Sequence, residues 1–374
     1  MAKKIDKIKD KLELIVPYFF AFLSDLTRLF LIEKKIYIDR RSHPFWKTYQ
    51  SRPPLKFIKT VFFAKILHCF NRIPKNKNKQ YIVDCEHVLH LDGESRNYEK
   101  MISSANYIER ELNNSKCKAI IVPTNGAIKD ALKYIKNKTL IEEKFHKVLP
   151  AIAVMPKKDF STIKNGPFTI INIGNKFWGK GTPIALEIFR ELRLKHGKSI
   201  QMLLVCGDVP ADFQIPEGVK VIDTPNLSQE KRTELYNMSH LFLFPCLHDS
   251  FGVYLETLSY GVPMLSTNIY DKSEIVIEGK TGFLFKPPIS LYDGGFGLEW
   301  RNWEEFQEKV RVYLNNGSFD QLIYQMKNKV EELMHNPILL EELSINSQKF
   351  CAEELSIERK NKQILDIYNL SYNK

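Results

Sequence analysis

No two of the six cysteines stand in CxxC or other metal-ligand spacing; Cys69, Cys85, Cys117, Cys206, Cys246 and Cys351 are scattered, several within apolar strand-like runs. That pattern excludes a zinc module and reads as buried, reduced thiols of a cytosolic protein. No apolar run reaches the ~20 residues that span a bilayer. The run at 14–23 is interrupted by Pro17 and closed by Asp25. No small-residue cleavage site follows it, and Asp6, Asp10 and Glu13 sit among the preceding lysines, against a secretory signal. Internal repeats and low-complexity blocks are absent. So are the signatures of RNA-recognition, zinc-finger and helix-turn-helix modules, and nucleic acid is not an expected partner.

What is present is a globular composition, 44% hydrophobic and 26% charged over 374 residues, enough for two domains of ordinary size. The formal net charge of +11 is unevenly spread: residues 1–79 hold 19 Lys and Arg against 6 Asp and Glu, and the remainder 36 against 38. The same N-terminal fifth contains aromatic clusters at 14–23 and 57–63. Two readings stay open. The segment suits an anionic membrane surface, with cations on lipid phosphates and apolar groups in the interface. It equally suits an amphipathic helix packed on its own domain, its lysines merely solvated.

From residue 80 onward, apolar strands alternate with helical patterns. Strands are expected at 81–85, 118–122 and 147–154, then at 168–173, 200–206, 219–222, 241–244, 262–266 and 282–285, with helices at 127–135, 183–195, 228–237 and 252–260. Such alternation means parallel sheets with both faces covered. The polar stretch 156–167 reads as a linker. The expected domains are a basic aromatic segment at 1–79, the rest of an N-terminal domain at 80–160, a second domain at 161–350 and a C-terminal helix at 351–374 that returns to the first. Residues 1–79 show no early strand and Gly-rich turn, so the N-terminal domain is atypical.

Parallel sheets bind ligands beyond the carboxyl ends of their strands, where helix N-termini present free N–H groups. Two such points carry suitable residues. The turn 174–181 (GNKFWGKG) offers three glycines and two lysines before a helix, as a phosphate-cradling loop requires. It is not a Walker A loop, because Lys180 is followed by Gly181; the alternative is a plain surface turn. At 245–256, a strand ends in a polar turn and a helix begins. There the N–H groups of Gly252 and Val253 would face an anion, flanked by the carboxylates of Asp249 and Glu256, which can accept from sugar hydroxyls. The plainer alternatives are an Asx-turn or cap for Asp249 and a solvated helix position for Glu256. In the N-terminal half, His87 stands with Glu86 at a strand end as a candidate contact to donor sugar or acceptor, the alternative being a satisfied structural histidine. His87 and His90 make a poor metal site without further ligands.

The run 244–263 (FPCLHDSFGVYLETLSYGVP), followed by SEIV at 273–276 and GKTGFL at 279–284, resembles the donor site of retaining glycosyltransferases of family 4. The similarity extends upstream through Leu235 and Tyr236, LLVCGD at 203–208 and the loop 174–181, covering about residues 168–287. The resemblance implies the GT-B fold: two Rossmann-like parallel-sheet domains facing a cleft. It implies transfer from a UDP- or GDP-sugar with no metal and no other cofactor, to a glycan or glycolipid acceptor. The site would be cytoplasmic, at the inner face of the plasma membrane. It also assigns roles: Lys180 neutralises the donor diphosphate, Glu256 holds the ribose hydroxyls and Asp249 contacts the transferred sugar. Phe251 and Gly252 supply N–H groups, and Ser273 and Glu274 belong to a later loop near the diphosphate. Gly174, Asn175, Lys176, Gly181, Ser250 and Val253 complete the donor-binding set, with Lys180, Asp249 and His87 as the catalytic candidates.

Two positions depart from the family. Six residues, not seven, separate Asp249 from Glu256, so strict spacing lands on His248; and Asn175 stands where the family has a phosphate-binding arginine. These departures motivate the alternative expectation, a non-catalytic GT-B-like nucleotide-sugar-binding or scaffold protein.

Overall fold

The computed structural model describes residues 36–39, 66–74, 78–92, 102–160, 166–224, 227–248, 251–291 and 303–373. Each of its two units is built on a parallel sheet. The N-terminal unit joins described residues 36–151 with the C-terminal helix Ile357–Asn373. Its strands β1 (Ile36–Asp39), β2 (Ile66–Phe70), β3 (Gln80–Asp84), β4 (Cys117–Val122) and β5 (Phe145–Lys147) pair in sequential order.

Alternation along these strands sends successive side chains to opposite faces. Leu67, Tyr81, Val83, Ile120 and Val122 share a core with helices α1 (Ala105–Asn113) and α2 (Asn125–Ala131). Ile66, Ile82, Ala119 and Ile121 meet Ile364, Ile367 and Tyr368 of the C-terminal helix. Both faces are therefore covered, as a parallel sheet requires. Beneath that helix, His68 Nδ1 lies 2.6 Å from the Tyr368 hydroxyl. Burial lowers the His68 pKa to about 3.

Two details differ from expectation. Strands β1 and β2 lie inside the basic segment, which the sequence reading left without a strand. The strand expected at 147–154 ends instead at Lys147: β5 pairs with β4 only through Lys147, and Pro150 beyond it has no N–H to continue a ladder.

The second unit, residues 152–356, carries a six-stranded sheet. Its strands are β6 (Phe168–Ile173), β7 (Ile200–Val205), β8 (Val219–Ile222), β9 (Leu241–Phe244), β10 (Met264–Thr267) and β11 (Gly282–Phe285). Short helix α3 (Thr139–Glu142) precedes them in the chain. Helices α4 (Thr182–His196), α5 (Gln229–Met238), α6 (Phe251–Ser259), α7 (Trp303–Asn315), α8 (Asp320–His335) and α9 (Pro337–Glu354) belong to the second unit. The spatial order is β11-β10-β9-β6-β7-β8. The chain thus builds outward from β6 to one side, then returns to build outward on the other. The strand order reverses between β6 and β9, and such switch points are where doubly wound sheets open a ligand crevice.

The opening has a visible cause. Ladder pairing of β6 with β9 covers only Ile170 with Leu241 and Ile171 with Phe242. Beyond it the strands part, and the fully buried Asn172 donates its side-chain amide to the Leu243 carbonyl at 2.7 Å. That bond satisfies a backbone acceptor which the diverging strands would leave bare. All six cysteines are buried and free. Among the described residues no helix is long and apolar enough to cross a membrane.

Candidate functional site

A cleft of about 450 Å³ lies at this switch point, within the second unit. Two loops form it, one leaving β6 and one leaving β9. The first, 174–181, is shaped by Asp208 at the end of β7. Its carboxylate accepts from the backbone N–H of Lys176 at 2.7 Å and of Phe177 at 3.2 Å. These bonds hold Lys176 at φ +66°, a left-handed conformation that costs a residue with a Cβ about 1 kcal/mol or more. At the far end of the loop, Gly181 has φ +67°, and a Cβ there would stand 1.8 Å from the Pro245 carbonyl oxygen. Only glycine lets the two loops come this close. The Leu247 N–H donates to the Gly179 carbonyl at 3.0 Å and locks them together.

Cationic groups converge on this cleft. Lys180 lines it, with Nζ 3.2 Å from His248 Nδ1. Lys176 also lines it, its ammonium 4.7 Å from the centre of the Trp303 ring, in cation–π range. Trp303 fits because Gly179 has no side chain: a Cβ there would lie 2.2 Å from the indole. Gly252 and Val253, in the first turn of α6, complete one wall; the N-terminal end of a helix carries partial positive charge, which suits an anion.

Glu256, one turn further along α6, closes the site, with its side chain 8% exposed. Its Oε2 accepts from Arg232 Nη1 at 2.9 Å and from the Tyr236 hydroxyl at 3.4 Å. Burial raises the carboxyl pKa above the usual range, and Arg232 and Tyr236 oppose that rise.

Of the residues singled out in the sequence, Gly174, Asn175, Lys176, Lys180, Gly252, Val253 and Glu256 all line this one cleft. The Asn175 side chain is turned to its own scaffold: Oδ1 accepts from the Gly207 N–H at 3.1 Å and the Thr224 hydroxyl at 2.9 Å. Gly181 is the hinge between the loops, outside the lining. Phe251 is outside it as well, its ring facing the ammonium of Lys272 at 6.0 Å.

Ser273 and Glu274 are not brought into the cleft. They lie on a 3₁₀ turn, Lys272–Glu274, which buries Lys272 beside Tyr254 and exposes Ser273. Asp249 and Ser250 lie outside the described residues.

His87 belongs to the N-terminal unit and is 1% exposed. Its Nε2 bonds Asp130, and its Nδ1 accepts from the Leu89 N–H at 3.1 Å. Both ring nitrogens are engaged inside the unit, the setting of a structural strut. Burial lowers its pKa.

The sequence reading missed Arg232 and Trp303 and gave His248 no role. For Arg232 a signal was available: it lies one helical turn before Tyr236, on the same face of a helix that Ser228 caps.

Residues 155–330 match the family model described as glycosyl transferases group 1, which bears out the resemblance to a glycosyltransferase read from residues 168–287. The chain is 25% identical over 221 residues to the capsular polysaccharide biosynthesis glycosyltransferase CapM of Staphylococcus aureus, covering 57% of this chain and 50% of that protein. It is 29% identical over 130 residues to a 2-deoxystreptamine N-acetyl-D-glucosaminyltransferase of Niallia circulans, covering 33% of each. The chain thus spans half or less of the curated relatives it matches.

Among solved structures, HepE of Anabaena in complex with UDP aligns with TM-score 0.56 and 12% identity over 88% of this chain and 84% of that one. WaaG, a glycosyltransferase involved in lipopolysaccharide biosynthesis, aligns with TM-score 0.52 and 16% identity over 84% and 80%. At these identities the likeness is one of fold: two parallel-sheet α/β domains of the GT-B kind, as expected from the sequence.

Proposed function

We propose that the chain is a retaining, nucleotide-sugar-dependent glycosyltransferase of the family 4 type. It transfers a sugar from a UDP- or GDP-sugar to a lipid-linked or cell-envelope glycan at the cytosolic face of a membrane. One observation carries the reading: Lys180, the first turn of α6 and Glu256 converge on a single cleft at the switch point of the second sheet.

That convergence suits a nucleoside diphosphate. Breaking the anomeric bond leaves an oxocarbenium-like sugar and puts negative charge on the departing diphosphate. Fixed positive charge aimed at the leaving group is the largest help a protein can give such a step. Lys180, together with the N–H groups of Gly252 and Val253, would hold the diphosphate; Glu256 would accept from the ribose hydroxyls. In a retaining transfer the acceptor attacks from the leaving-group face, and the departing phosphate takes its proton. Asp249 is assigned to the transferred sugar by the resemblance alone.

The acceptor class draws support from the relatives, one named for capsular polysaccharide and a structural neighbour for lipopolysaccharide. The membrane face is inferred from the charge and aromatic content of residues 1–79.

The test is a panel of UDP- and GDP-sugars scored by thermal shift and by slow donor hydrolysis. A response to one donor is expected, with the anomeric configuration of the product read by NMR. Silence to every donor would remove the enzyme reading. Flotation with anionic liposomes tests the membrane part, which fails if the protein stays at the bottom at low salt.

A second reading, a non-catalytic binding protein, is favoured by one observation: the Asn175 side chain is committed to Gly207 and Thr224. Full biological function in a Lys180→Ala strain would support it.

A further inference from the structure

Arg232 enters the cleft from α5, a helix fastened at both ends. Ser228 caps its first turn through the Lys231 N–H at 3.2 Å, and Lys158 Nζ donates to the carbonyls of Tyr236 and Asn237 at 2.7 and 3.0 Å. The Tyr236 ring stacks on Tyr260 with centroids 4.6 Å apart, which fixes the rotation of the helix. Arg232 and Tyr236 therefore present one rigid face, and both address the same atom, Glu256 Oε2. Neither bond uses Oε1, which stays available to the cleft that Glu256 lines. The Arg232 side chain is 32% exposed against 8% for Glu256, so the carboxylate is the more buried partner of the pair.

We propose that Arg232 is a positioning residue for the donor: it clamps Glu256 through Oε2 and so turns Oε1 toward the vicinal hydroxyls of the donor's ribose. The proposal rests on the reading of Glu256 as the carboxylate that holds the ribose. The charge state matters as much as the direction, because only an ionised carboxylate accepts from hydroxyls with full strength. Burial works against ionisation here and Arg232 opposes that effect. The other charged or titratable groups facing this space, among the described residues, are Lys176 and Lys180 on the loop after β6, His248 after β9 and Tyr236 on α5. Lys180 contacts His248 and Lys176 stands over Trp303, whereas Arg232 bonds the carboxylate directly.

The experiment is calorimetric titration of UDP, GDP and their 2′-deoxy counterparts at pH 6 and pH 8. The proteins are the wild type, Arg232→Met, Arg232→Lys, Glu256→Gln and the Met/Gln double variant, each checked by thermal melting. Wild type is expected to prefer the ribonucleotide at both pH values. Arg232→Met should weaken the ribonucleotide about 10- to 100-fold at pH 6, the size of one lost charge-assisted hydrogen bond. Part of that loss should return at pH 8 as Glu256 ionises. The 2′-deoxy forms should change little, so ribose selectivity collapses. The Met and Gln effects should fail to add. Arg232→Lys keeps a charge without the planar guanidinium and should show the same ribose-selective loss at smaller size, which preserves the test if the Met variant does not fold.

Equal weakening of ribo- and deoxynucleotides, independent of pH and additive with Glu256→Gln, would mean a direct phosphate contact and would overturn the clamp. So would unchanged affinity. If the wild type binds none of the four nucleotides, the donor-site reading itself fails; wild-type binding with a silent Arg232→Met removes the clamp alone.

Discussion

Replacing Lys180 with methionine isolates the charge from the packing. The stem of Lys180 lies against Gly174, whose added Cβ would come within 3.0 Å of the lysine Cγ, and methionine keeps that stem. What disappears is one ammonium at the wall of the cleft, together with its 3.2 Å contact to His248. A unit charge pair at ~4 Å is worth ~4 kcal/mol at an effective dielectric of 20. Lys180 is half-buried and the cleft is open to water, so screening brings the net value nearer 2–3 kcal/mol, the range of charge-assisted hydrogen bonds. Lys180→Met should therefore lower kcat/KM for the donor about 30- to 150-fold. If the ammonium acts on the leaving diphosphate, much of the loss should appear in kcat. Its dependence on salt should also flatten, because fewer charges are screened. The assay is initial-rate hydrolysis of the preferred donor across a salt series, with thermal melting as the folding control. A variant that melts like wild type and stays within threefold of its kcat/KM would refute the assignment of Lys180 to the diphosphate.

The scaffold makes predictions of its own. Gly181→Ala meets both a left-handed φ and the Pro245 carbonyl, so equilibrium denaturation should show a loss of about 2–4 kcal/mol; an unchanged midpoint would contradict the close approach of the two loops. Asn175→Ala releases the Gly207 N–H and the Thr224 hydroxyl and should cost about 1–2 kcal/mol of stability in the same measurement. His68 stays neutral in the folded unit, with its pKa lowered to about 3 by burial, while the unfolded chain takes up a proton near pH 6.5. Its contribution is thus present above pH 6.5 and is lost as pH falls toward 3, about 2 kcal/mol by pH 5. Denaturation at pH 7 and pH 5 should show that part of the loss disappear in His68→Gln; an identical loss in the variant would contradict the buried neutral histidine.

How legible these features are depends on how local their causes are. Gly179 and Gly181 of the turn 174–181 answer steric demands from Trp303 and Pro245 outside it, but the turn itself, set between a short apolar strand and a helix, is legible within one strand–loop–helix unit. The same is true of the turn before α6. Strand β2 was hidden because its five residues include His68 and Cys69 within a basic segment. What makes His68 a core residue is Tyr368, 300 positions away. Arg232 was missed for a related reason: its partner Glu256 lies on another helix, 24 positions on, and only packing of α5 against α6 joins them. Motif position points Ser273 and Glu274 toward the cleft, but a single 3₁₀ turn decides which of three neighbours faces inward, and it buries Lys272 beside Tyr254.

The central claim is that the cleft between the two loops takes a nucleoside diphosphate. A crystal structure with UDP or GDP, whichever titrates more tightly, tests it most directly. The account predicts the diphosphate within hydrogen-bond distance of Lys180 Nζ and of the N–H groups of Gly252 and Val253, with the ribose on Glu256. A nucleotide bound elsewhere, or a cleft left empty at saturating nucleotide, would contradict it.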